Sequence, residues 1–190
     1  MCSNPPRKVI VRIEYDHDLE NPCEWDGWKV YSFSNRHASY QHPEKLGLDE
    51  HGQPNIGLRR KLQVGTAFLL SYYEHGQCVW SLKDTGPQCR WDSVSLAGLL
   101  VWEGELSNLG AKTYEAREKD AEAFIRCYTD WCNGTGYGFT IDEADDGEHI
   151  ESCWGFLGDS GAKDMIAEYI KPAVVGREYE VVGDAAYVME

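Results

Sequence analysis

The sequence predicts an α+β fold, a mainly antiparallel sheet with two principal helices packed on it, in a single acidic domain over residues 1–190. Three observations carry that expectation. Short runs that alternate apolar and polar residues recur along the chain, as half-buried strands require. Two of these runs flank an Asp-Gly turn, a strong short-range hairpin signal. Only two stretches keep apolar residues at the i, i+3, i+4 spacing of a helix face.

Taken in order, Val9, Val11, Ile13 and Tyr15 alternate with Ile10, Arg12 and Glu14 and form a first strand. Asn21-Pro22 marks a turn in an acidic loop. His17, between Asp16 and Asp18, does not converge with them on a metal, because neighbours on a loop point apart. Trp28 to Ser34 is aromatic and β-branched and reads as a second strand. A long irregular loop follows at about 35–62, with at most short helical turns, and it ends in the basic cluster Arg59-Arg60-Lys61. Thr66 to Tyr73 and Cys78 to Leu82 make a hairpin about Glu74-His75-Gly76-Gln77, and Leu96 to Trp102 is a further strand. Residues 111–133 give the clearest helix, with Ala121, Phe124, Ile125, Tyr128, Trp131 and Cys132 on one face and Gly134 ending it. Tyr137 to Asp159 is the Asp-Gly hairpin. A second helix spans roughly Ser160 to Lys171, with Asp159 as N-cap, Pro172 as stop, and Ala162, Met165, Ile166, Tyr169 and Ile170 facing inward. Glu178 to Val182 and Ala186 to Met189 suggest a small terminal hairpin.

With 42% hydrophobic residues, seven Trp and eleven Tyr, the chain has enough apolar surface for a sizeable core. No run reaches the ~18–20 apolar residues of a membrane span, and the N-terminus lacks a signal-peptide core, so a cytoplasmic protein is expected. Seven cysteines, an odd number, then read as reduced thiols. The net charge of −14 lies in residues 64–190, which carry nine basic and twenty-three acidic residues; residues 1–63 carry nine of each. Such a field repels nucleic acid and membrane surfaces and steers the protein toward basic ones.

No phosphate-binding loop, zinc-protease motif, nucleophile elbow or paired CxxC occurs, so no cofactor and no catalytic residue is singled out. The hairpin stands out instead. Asp142, Glu143, Asp145, Asp146, Glu148 and Glu151 fall within ten residues, and no Lys or Arg occurs from Cys127 to Ala162. Such acids read either as a solvated edge whose charges block strand-to-strand aggregation, or as fixed carboxylates that approximate the charge array of DNA, one negative charge per ~1.7 Å of axis, and so suit a groove that grips phosphates.

Four pieces carry a resemblance: Tyr15-Asp16 through Glu20-Asn21-Pro22 to Trp25-Asp26, Cys89-Arg90-Trp91-Asp92-Ser93, Tyr137-Gly138-Phe139, and Ser152-Cys153-Trp154-Gly155-Phe156. In this order they resemble a widespread family of proteins from phages and integrated mobile elements. The chain departs from that family at Val94 to Gly98 and in the loop after Ser34. The family brings no catalytic residues with it. The resemblance implies a context, counter-defence in a host bacterial cell. The expectation is an anti-CRISPR or antirestriction type of inhibitor that meets the basic nucleic-acid-binding surface of a host CRISPR effector or restriction enzyme through the six acids. The rival is an enzyme acting on a defence component or signal nucleotide, its pocket lined by the Cys89–Ser93 and Ser152–Phe156 pieces. Core packing by Trp91 and Trp154 is the expectation set against that rival. A phage regulatory or assembly role is a third possibility.

Overall fold

The computed structural model describes residues 8–183. In chain order it contains β1 (Lys8–Tyr15), β2 (Trp28–Ser32), α1 (Ile56–Val64), β3 (Ala67–His75), β4 (Gln77–Leu82), β5 (Ser93–Trp102), α2 (Tyr114–Cys132), β6 (Gly136–Glu143), β7 (His149–Leu157), α3 (Asp159–Val174) and β8 (Glu178–Val182). This is an α+β fold with two sheets in which antiparallel pairing predominates. Among the described residues no helix is long and apolar enough to cross a membrane. The chain gathers into two compact units. Met1–Glu20 and Gly134–Glu190 form the first, and Asn21–Asn133 form the second.

The first unit carries the sheet β7-β6-β1-β8. β1 and β6 pair antiparallel from Val9↔Glu143 to Tyr15↔Tyr137. Side chains alternate across a strand, so this register puts Val9, Val11 and Ile13 beside Tyr137, Phe139 and Ile141 on one face, all fully buried. α3 lays Ala162, Ile166 and Ile170 on that face. Each large side chain buried there contributes about 1.5–3 kcal/mol. Met165 does not join them and is about half exposed. The helix begins at Asp159 after Gly158 and runs through Pro172, which sits in its last turn. The N-cap position is thus Gly158 and not Asp159, whose carboxylate accepts the Tyr137 hydroxyl. β8 is a strand as expected, but it pairs parallel with β1. The expected second arm, Ala186 to Met189, lies outside the described residues.

The second unit carries the antiparallel sheet β2-β5-β3-β4. Its central strands are nearly continuous apolar runs because both faces are covered. Phe68, Leu70 and Leu100 pack under Ala121, Ile125 and Tyr128 of α2. Ala67, Leu99 and Val101 meet Leu48 and Leu58 on the other side. The segment expected as a loop is therefore a lid on that second face, and its end is helical. The Asn55 side chain accepts the Leu58 N–H at 2.9 Å to start α1, and Gly65 at φ 71° closes it. Gly98 stays in strand for a steric reason: a Cβ there would lie 2.5 Å from the Tyr31 carbonyl oxygen of β2.

Candidate functional site

The acidic hairpin is present, with its turn between β6 and β7. The Ala144 N–H donates to Lys8 O at 3.0 Å, Gly147 N–H to Glu143 O at 3.0 Å, and Glu143 N–H to Glu148 O at 2.8 Å. The Asp146 carboxylate accepts the Glu148 N–H at 3.0 Å. The tip is thus hydrogen-bonded in place. Its six acids do not form one outward line, because neighbours on β6 face opposite ways. Asp142 lies on the open face, where it takes the Arg12 guanidinium, and His149 Nδ1 lies 3.0 Å from its other oxygen. Glu143 sits on the helix-covered face, 8% exposed, and accepts from Arg177 Nη1 at 2.9 Å. Asp142 and Glu143, expected to point outward, are thus both engaged inside their own unit. Asp145, Asp146, Glu148 and Glu151 are exposed. The first unit holds six basic and seventeen acidic residues, the second twelve and fifteen. The charge asymmetry therefore follows the units, with −11 on the first.

Three of the motif pieces meet in the first unit for structural reasons. The Tyr15 and Tyr137 rings lie 5.2 Å apart. Asp16 accepts the Gly155 N–H at 2.9 Å. Phe139 stacks on Phe156 at 5.9 Å. Trp154 lies over Gly138, where a Cβ would fall 2.0 Å from the indole. Core packing by the two tryptophans does not hold, since Trp154 is 47% and Trp91 82% exposed. Around Trp91 the loop is tied to itself. The Cys89 N–H donates to Ser93 Oγ at 2.9 Å, Ser93 Oγ to Pro87 O at 3.1 Å, and the Cys89 thiol to Asp92 at 3.4 Å. The knot presents Trp91 outward with Arg90 over its ring.

The second unit also carries concavities of its own. In the second unit, a cavity of about 470 Å³ is lined by Tyr72 of β3, Cys78 and Trp80 of β4, Tyr128, Trp131 and Cys132 of α2, and His37 of the loop after β2. A neighbouring one of about 480 Å³ shares His37, Tyr72 and Glu74 and extends to Arg36, Trp91 and Asp92. The His37 ring lies 5.2 Å from Tyr72 and 5.3 Å from Trp80, and its Nδ1 is 2.7 Å from Ser32 Oγ. Burial holds this imidazole below the usual histidine range. The Tyr72 hydroxyl donates to Glu74 at 3.0 Å; burial, helped by that carboxylate, pushes the phenol well above its ordinary value. The Cys78 and Cys132 thiols share a hydrogen bond, which draws Cys78 below and Cys132 above the usual thiol range. These residues are scattered from 37 to 132, and each alone looks like core. Only the fold brings them together. Among the described residues no three His, Cys, Asp or Glu side chains gather to hold a metal ion. Comparison with protein-family models, with curated proteins and with solved structures gives no match to this chain.

Proposed function

We propose that the protein is a non-enzymatic anti-defence factor of a phage or mobile element, whose acidic unit docks on a basic surface that normally grips nucleic acid. The host complex is of the CRISPR-effector or restriction-enzyme type. One observation carries the reading: Asp145, Asp146, Glu148 and Glu151 stay exposed on a hydrogen-bonded turn in a unit of net charge −11. Charges fixed before binding lose little ordering entropy, and they accelerate encounter with a basic partner. Arg12 and Arg177 tie down Asp142 and Glu143, so these two shape the hairpin instead of meeting the partner. The resemblance to phage and mobile-element proteins supplies the defence context. The test is competition: the full chain is titrated into a host restriction enzyme or CRISPR effector bound to duplex DNA. DNA release that weakens with salt, and that falls at least about tenfold when the four exposed acids become Lys, supports the reading. Release unchanged by the charge reversal would sink it.

A further inference from the structure

The aromatic cavity of the second unit lies outside that reading. Its wall carries five rings, His37, Tyr72, Trp80, Tyr128 and Trp131, and one carboxylate, Glu74. The rings form a connected set. Tyr72 and Trp80 are 4.7 Å apart by centroid, Trp80 and Tyr128 6.1 Å, and Tyr128 and Trp131 5.7 Å. Their placement is enforced by side chains at the end of α2. Asn133 binds both the N–H and the carbonyl of Cys78 at 2.9 Å, and Thr129 binds those of Trp80 at 3.1 and 3.3 Å. The end of α2 is thereby tied to β4. His37, held in its neutral form, adds a ring without adding charge.

Aromatic faces attract cations, most strongly when the cation is poorly hydrated. Among the lining side chains of this cavity Glu74 is the one carboxylate. No Lys or Arg lines it to hold a phosphate; Arg36 belongs to the neighbouring space. We infer that this cavity is a binding site for an organic monocation of the alkylammonium class, seated among the rings with Glu74 as counter-ion. About 470 Å³ accommodates a methylated ammonium head with a short stem.

The full chain is titrated with choline and with its uncharged carbon isostere, 3,3-dimethylbutan-1-ol, following the Trp80 and Trp131 indole N–H resonances. Saturable choline binding is expected, with the isostere weaker by about tenfold. Glu74 is exposed, so Glu74→Gln leaves the fold intact by circular dichroism and weakens choline by a similar factor. Trp131→Leu, a second variant on a half-buried position, weakens it as well. Equal affinity for choline and isostere overturns the assignment, as does unchanged choline binding in Glu74→Gln or no saturable shift at millimolar choline. Adenosine monophosphate serves as the contrary probe. If it binds more tightly than choline, the cavity stacks planar bases and the cation assignment falls.

Discussion

Glu143 and Asp145 lie two positions apart and carry the same group, yet the fold uses them differently. Glu143 is 8% exposed and held by Arg177; Asp145 projects from the turn into water. Glu143→Gln keeps the shape but leaves a guanidinium without its charged acceptor, so it is expected to cost about 1–2 kcal/mol, the Arg177 end being part exposed. Asp145→Asn should stay within about 0.5 kcal/mol. Urea unfolding distinguishes them: the Glu143 variant lowers the midpoint at constant slope, and the Asp145 variant leaves it in place. Equal midpoints would show that Glu143 does not hold the hairpin. The density of acid was legible in the sequence. Which acids remain available was not, because it depends on the face each takes and on partners as remote as Arg12. The two tryptophans were misread for a related reason: an aromatic residue in a motif looks like core until a glycine opposite it, Gly138, or a loop tied at its base, Cys89 to Ser93, lifts it to the surface.

Among the elements, the edge strand β4 depends on the end of α2. Four helical residues rise about 6 Å, and two strand residues advance about 6.6 Å. Thr129 and Asn133 therefore match Cys78 and Trp80 in spacing and satisfy the donors and acceptors that an edge strand leaves open. The helix supplies in side chains what a fifth strand would supply in backbone, and it shields the edge from pairing with other chains. Thr129→Val with Asn133→Ala is expected to cost about 2–4 kcal/mol, since buried backbone groups lose their partners. It should also speed amide exchange at Cys78 and Trp80 and raise aggregation. Exchange at those two amides that matches wild type would refute the role. The sequence showed most elements because their patterns are local: β1, the β3–β4 hairpin, α2, and the β6–β7 hairpin all follow a period or a turn dipeptide. α1 was hidden, because only Leu58 of its nine residues is buried and its Arg59-Arg60-Lys61 run reads as loop. Its one clear signal was the Asn55 cap. The parallel pairing of β8 with β1 was equally out of reach, since no local pattern states which distant strand an edge joins.

For the whole molecule, the order of the chain constrains the order of folding. The first unit's central pairing joins β1 to β6 across the entire second unit, 113 residues from Asn21 to Asn133. As a flexible loop, that segment costs about 2 kcal/mol more to close than one of about ten residues. Once the second unit has folded, the penalty largely disappears, because Asn21 and Asn133 line the same cavity and its two ends are already together. The first unit also resists collapse by its own charge, −11 against −3 for the second. Both effects place the second unit first. Pulse-labelled amide exchange during refolding should therefore protect β3 and β5 before β1 and β6. Thr129→Val with Asn133→Ala should delay protection in both units, while Glu143→Gln leaves the rate of the second unit unchanged. Added salt should shorten the lag of the first unit by screening its self-repulsion. Protection of β1 and β6 ahead of β3 and β5 would mean that the long closure occurs unaided, and that the inserted segment is not what brings the acidic unit together.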